Sequence, residues 1–222
     1  MMPFAGGPDS LSNGTLVFSV AAALLYLMMQ ARPPSWRRTV AKAGSVALLA
    51  VLATLEGGPF LLVAALVLSA AGDAFLAHEG EKPFLGGLAS FLLAHLAYVA
   101  LFVAAGGGAE ILAVQPWRLA IPVAATVAAL LLLRRLLPAV GPALRLPVSF
   151  YVAAIVAMMW ASATVPAPIV MVGAALFVAS DAILAVEKFL LSPQSPHRTW
   201  AGPAVWVLYY LAQATITLGL LV

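Results

Sequence analysis

Residues 60–79 read FLLVAALVLSAAGDAFLAHE: twelve apolar or small residues in a row, then Gly72 and a single aspartate, Asp73. Residues 168–187 read PIVMVGAALFVASDAILAVE and place Asp181 after a run of the same kind. Each aspartate opens the same pattern, Asp-Ala-x-Leu-Ala-x-Glu. Runs this apolar read as membrane-crossing helices, and a carboxylate inside one costs roughly 3 kcal/mol or more at the bilayer centre. A residue kept against that cost marks a functional site, and two in matching contexts read as a pair.

Composition supports the membrane reading. Of 222 residues, 64% are apolar and only 9% are charged, with mean hydropathy +1.08. That is too little charge to cover a soluble domain. Continuous runs, instead of the weak alternation of membrane strands, give an all-α class. Cysteine is absent, which excludes disulfides, thiolate metal sites and a thiol nucleophile. The net charge of +3 does not point to nucleic acid, because the basic residues cluster at the ends of the apolar runs.

Working outward from residues 60–77, eight spans can be placed: 14–31, 39–55, 60–77, 84–105, 117–137, 146–164, 167–191 and 200–222. Pro33-Pro34, Gly57-Gly58-Pro59, Gly106-Gly107-Gly108 and Pro193 with Pro196 punctuate them. Pro122 and Pro147 are placed near helix starts, where proline is tolerated. The first run lacks a basic start and is followed by Arg32, Arg37 and Arg38, so it reads as a retained span and not a cleaved signal. With both termini outside, ten of the eleven Lys and Arg residues fall on the cytoplasmic side and only Arg118 is left outside. The expected localisation is a bacterial inner membrane. The chain reads as a single polytopic domain, 1–222, with halves 14–106 and 117–222. Four spans per half would form a parallel repeat, with Asp73 and Asp181 on equivalent third and seventh helices.

Few other polar residues lie within the spans. His95 and Tyr98 share a face of the fourth helix, and Tyr209, Tyr210 and Gln213 form a stripe on the eighth. Tyr151 opens the sixth span, Ser180 adjoins Asp181, and Lys42 lies near one end of the second. Each also has an ordinary role. Lysine can snorkel to the headgroups, tyrosine can anchor at the interface, and serine can aid helix packing. A structural ion pair is the ordinary reading of the aspartates, with Lys42 the main partner available. Glu56 and Glu110 are placed in outside loops; Glu79, Glu81 and Glu187 are placed at the cytoplasmic surface.

These pieces occur in a recognisable order: Lys42; Gly72-Asp73-x-x-Leu76; Phe91-x-x-x-His95-x-x-Tyr98; Pro147-x-x-x-Tyr151; Gly173-x-x-x-Phe177-x-x-Ser180-Asp181; and Tyr209-Tyr210-Leu211-Ala212-Gln213. In that order the chain resembles the YhhN-like lysoplasmalogenases, eight-helix membrane proteins, over most of its length from the second span onward. The resemblance implies hydrolysis of the vinyl ether bond of a lysoplasmalogen to a fatty aldehyde and a glycerophospho-alcohol. Vinyl ether cleavage needs a proton donor, a negative charge near the resulting oxocarbenium ion, and a placed water. Two carboxylates in different environments can supply these, as in glycosidases.

The expected catalytic pair is therefore Asp73 and Asp181, with acid and base unassigned. Lys42, His95, Tyr98, Tyr151, Ser180, Tyr209, Tyr210 and Gln213 are expected to line the cleft, with Lys42 also available to a lipid phosphate. No cofactor or metal is expected, since one buried histidine and no His-Glu-x-x-His make a poor metal set. The expected partners are a lysophospholipid substrate and membrane lipids, with no nucleic acid; abundant Gly and Ala also leave room for a homodimer. A proton- or cation-coupled transporter would use the same intramembrane aspartates. An intramembrane aspartyl protease fits less well, because Ala70-Ala71-Gly72-Asp73 lacks the first glycine of Gly-x-Gly-Asp.

Overall fold

The structure, a computed structural model, describes residues 2–222. Its helices are α1 Leu11–Met29, α2 Trp36–Leu55, α3 Phe60–Leu76, α4 Glu81–Ala105, α5 Gly108–Val114, α6 Ala120–Ala139, α7 Pro142–Ser162, α8 Pro168–Phe189 and α9 Arg198–Leu221. Short 3₁₀ turns cover Gly7–Asp9 and Pro116–Leu119, and no strand occurs among the described residues. Among the described residues, seven helical stretches are long and apolar enough to cross a membrane, the pattern of an integral membrane protein. α3, which carries Asp73, is apolar but has only 17 residues.

Two details depart from the sequence expectation. Glu110 lies on the short helix α5 instead of in a loop. α7 starts at Pro142, four residues before the expected start, so Pro147 lies inside the helix and not at its entrance. Pro142 fits the first turn because its missing N–H has no partner to lose there. Pro147 in the next turn removes one helical hydrogen bond, a loss that an apolar environment and neighbouring helices tolerate.

The chain divides into two compact units. One runs to Leu101 and takes back the terminal Thr217–Val222; the other is Phe102–Ile216. In the first unit α2 packs against both α1 and α3. The buried stripe of α1 is Asn13, Thr15, Ser19, Ala23 and Tyr26, small or polar, while Leu24, Leu25 and Met28 face outward. This is the membrane arrangement: large apolar side chains meet lipid, and small or hydrogen-bonding ones meet other helices. Asn13 anchors the residues before α1, its Nδ2 donating to the Phe4 and Gly7 carbonyls at 2.9 and 2.8 Å. Ser10 and Ser35 cap α1 and α2 by accepting from the backbone N–H of Asn13 and Arg38.

α3 and α4 approach closely at Gly72, where a Cβ would stand 2.7 Å from the Phe91 ring. The residue before Asp73 is thus glycine because the Phe91 side chain occupies the space that any other residue would need.

In the second unit α6, α7 and α8 pack on one another around Leu136, Val140 and Val148. Gly173 lets α8 and α9 meet, since a Cβ there would stand 2.6 Å from Ile216 Cγ1. Arg118, which the charge count had left on the outer side, is 1% exposed. Its Nη1 donates to the Val165 carbonyl at 2.6 Å and its Nη2 to that of Pro166 at 2.8 Å. Its Nε donates to Gln115 Oε1 at 2.8 Å, and the guanidinium lies 5.3 Å from the centre of the Trp117 ring. The carbonyls after a helix end have no helical donors, and a cation there also suits the helix dipole. Arg118 thereby closes the end of α7.

Candidate functional site

Each of the two aspartates is met by a polar partner, which makes one centre in each unit. The first is built on α2 and α3. Lys42 Nζ lies 3.3 Å from Asp73 Oδ1, and the aspartate side chain is 2% exposed against 12% for the lysine. Lys42 Nζ also stands 5.7 Å from the centre of the Tyr26 ring on α1, within cation–π range.

Hydroxyl-to-backbone bonds hold this lysine's helix in register. Ser45 Oγ donates to the Lys42 carbonyl at 2.7 Å, and Ser19 Oγ on α1 donates to the Ser45 carbonyl at 2.6 Å. The small side chains that bring α1 and α2 together therefore also set the depth of Lys42. Ser69, one turn before Asp73 on α3, is fully buried. At the exposed end of the same helices, His78 Nε2 lies 3.4 Å from Thr39 Oγ1.

α4 contributes His95 and Tyr98, both fully buried. His95 Nδ1 is 2.7 Å from the Phe91 carbonyl, so this nitrogen carries the proton and donates. Phe91 links this histidine to the neighbourhood of Asp73, since its carbonyl orients the His95 ring and its own ring fills the notch at Gly72.

The second centre is built on α7, α8 and α9. The Tyr151 hydroxyl donates to Asp181 Oδ2 at 2.7 Å, both side chains being half-buried. Ser180 is fully buried and its Oγ donates to the Val205 carbonyl of α9 at 2.9 Å, so its hydroxyl ties α8 to α9. Tyr209 meets Phe177 edge-on at 5.4 Å, and Trp206 stacks with Tyr210 at 6.1 Å. Gln213, one turn after Tyr209, is fully buried. At the end of α8, Arg198 Nη1 lies 3.7 Å from Glu187 Oε1 and its Nη2 donates to the Glu187 carbonyl at 2.7 Å. Glu187 therefore has a basic partner, and its side chain is 21% exposed.

Geometry thus brings Lys42 to Asp73, and Tyr151 to Asp181, among the residues singled out from sequence. His95 and Tyr98 belong to the first unit, Tyr209, Tyr210 and Gln213 to the second. Tyr26, Ser45 and Phe91 were not singled out as centre residues. Of these, Tyr26 left the clearest trace, an aromatic within a stripe of small residues on α1. No group of three or more His, Asp or Glu side chains able to hold a metal ion occurs among the described residues.

The sequence model of the YhhN family matches residues 37–220, a stretch that takes in both centres except Ser19 and Tyr26 on α1. Among curated proteins, the lysoplasmalogenase of Mycobacterium tuberculosis is 35% identical over 162 residues, covering 71% of this chain and 59% of its own length. That of Mycobacterium bovis matches to the same extent. The chain thus spans about three fifths of these mycobacterial relatives. The protein of Rattus norvegicus called lysoplasmalogenase TMEM86B is 30% identical over 209 residues, covering 92% of this chain and 82% of its own. No solved structure matches the chain.

Proposed function

This chain belongs to the YhhN family, and from that membership we propose that it hydrolyses the vinyl ether bond of a lysoplasmalogen-type lipid, releasing a fatty aldehyde and a glycerophospho-alcohol. The observation that carries the reading is the match to a named lysoplasmalogenase over 92% of the chain, an extent that includes both aspartates. The two centres are the chemistry such a reaction would draw on.

The reaction begins with transfer of a proton to the β-carbon of the vinyl ether. The resulting oxocarbenium ion takes up water, loses a proton and collapses from hemiacetal to aldehyde and alcohol. In our reading Asp73 is the ionised carboxylate. The Lys42 ammonium at 3.3 Å stands beside it as its counter-charge. A fixed negative charge stabilises the cation, and the same oxygens can accept a proton from the attacking water. Asp181 then holds the proton to be delivered, with the Tyr151 hydroxyl at 2.7 Å fixing its rotamer. His95, Tyr98, Tyr209, Tyr210 and Gln213 would orient the substrate and water. General acid or base action at one carboxyl contributes typically 10²–10⁴-fold in rate.

A buried Asp–Lys pair is also the element from which a proton-coupled carrier is built, and that is the second reading. The deciding experiment incubates the purified protein with alkenyl and acyl lysophospholipids of equal chain length and measures aldehyde. Aldehyde from the alkenyl lipid alone is the expected result. Breakdown of neither, together with solute flux in reconstituted vesicles, would replace the hydrolase with the carrier.

A further inference from the structure

α1 and α2 leave between them an open groove of about 710 Å³. On α2 it is lined at three- and four-residue spacing, with Gly44, Leu48 and Val51 in the stripe. The buried stripe of the same helix shares Ala41 with the groove, but its other members, Ser45, Val46 and Leu49 among them, point elsewhere. Lys42 does not line the groove, so this is a different face from the one that holds Asp73.

Three features give the groove a direction and a ligand. One end carries Arg32, Trp36 and Arg37, all exposed, with the Arg37 guanidinium 5.7 Å from the centre of the Trp36 ring. Arginine beside tryptophan at a helix end is the composition of the headgroup level of a bilayer. From that end the lining is apolar as far as Val51, a rise of about 22 Å at 1.5 Å per residue. This exceeds the roughly 15 Å depth of one hydrocarbon leaflet, so an acyl chain lying along the groove is in contact for its whole length.

Gly44 lies within the lining, and a Cβ added there would meet no atom within 4 Å. Glycine inside a helix costs about 1 kcal/mol relative to alanine. No neighbouring atom requires it at this position, and its effect is to deepen the groove.

A second copy of the chain is a poorer occupant. Two copies in one membrane share their orientation, so a two-fold contact through this face would set the Arg32 and Arg37 pairs of both at the same depth, like charge facing like. An anion meets the same two guanidinium groups favourably, with bidentate geometry available to a phosphate. Arg32 and Trp36 also lie outside the stretch matched by the family model, 37–220, so the groove includes a part of the chain beyond that match.

We propose that this groove holds one phospholipid of the surrounding bilayer with a net negative headgroup, its phosphate on Arg32 and Arg37 and an acyl chain laid over Gly44 toward Val51. The test uses the full chain reconstituted in vesicles of equal phosphatidylcholine and phosphatidylglycerol. It is then extracted in mild detergent and weighed by native mass spectrometry. Phosphatidylglycerol is expected to be retained over phosphatidylcholine by roughly tenfold, given that basic residues near a bilayer each favour anionic lipid.

The double variant Arg32→Gln with Arg37→Gln should retain both lipids equally. Gly44→Phe, whose ring enters open space, should retain neither while keeping wild-type helical content. Equal retention of the two lipids by the wild type would overturn the proposal. So would an unchanged preference in the arginine variant, or a dimer that Gly44→Phe dissociates with bound lipid unaltered. If Gly44→Phe fails to fold, the arginine variant decides alone. Because bound lipid is weighed and no aldehyde is measured, the outcome is independent of the hydrolase reading.

Discussion

Asp73 and Asp181 begin the same seven-residue pattern, yet one meets a charge and the other a hydroxyl. Asp73 is almost fully buried with the Lys42 ammonium at 3.3 Å, whereas Asp181 is half-buried and accepts from the Tyr151 hydroxyl at 2.7 Å. The difference comes from the helices alongside. α2 brings a lysine whose depth is set by the Ser19–Ser45 contact, and α7 brings a tyrosine from a helix that begins early, at Pro142. Similar sequence therefore does not fix similar surroundings; the neighbouring helix supplies the partner.

The largest effect should come from removing either carboxyl group without changing its shape. Asp73→Asn and Asp181→Asn are each expected to lower aldehyde release by roughly 10²–10⁴-fold, with both proteins still extracting as folded monodisperse species. Activity surviving in either variant would remove that carboxylate from the chemistry and leave the comparison one-sided.

Next in size is Lys42→Met. Removing one partner of a buried ion pair costs about 3–5 kcal/mol because the other charge is left uncompensated. A denaturation series should show that loss for Lys42→Met and a substantial recovery in the double variant Lys42→Met with Asp73→Asn. Additive losses would mean that the two groups are not coupled. Tyr151→Phe removes a hydrogen bond between a neutral donor and the proton-holding Asp181 carboxyl and should cost about 0.5–1.5 kcal/mol, a smaller effect on the same assay. If it equals Lys42→Met, the contrast between the centres is false.

The smallest contrast is between the two serines near the aspartates. Ser180 Oγ donates to the Val205 carbonyl, so Ser180→Ala should cost about 1 kcal/mol. Ser69 Oγ is buried with no hydrogen-bond partner among the described residues, so Ser69→Ala should be neutral or slightly stabilising. A larger loss at Ser69 than at Ser180 would show that Ser69 serves the Asp73 centre directly.

Much of this was legible in the sequence for a simple reason: in a membrane, hydropathy and helix are nearly the same signal. The apolar runs gave the helices, and the rarity of charge inside them singled out Asp73, Asp181 and Lys42. The rest depended on facts with no local signature. Arg118 looked like an interfacial charge because its partners are the backbone carbonyls of Val165 and Pro166, which every residue possesses. The Tyr151–Asp181 bond depends on the packing of α7 against α8, and the α7 start was hidden because Pro142 and Pro147 each could begin a helix. Gly72 was visible as part of a motif, but its cause, the Phe91 ring occupying the place of a side chain, exists only in three dimensions.

The most direct measurement of the central claim is aldehyde release from an alkenyl lysophospholipid by the purified wild type, set beside the acyl analogue and the Asp73→Asn variant. The account predicts aldehyde from the alkenyl lipid with wild type, none from the acyl lipid, and at least a hundredfold less with the variant. Aldehyde release by Asp73→Asn at the wild-type rate would contradict it.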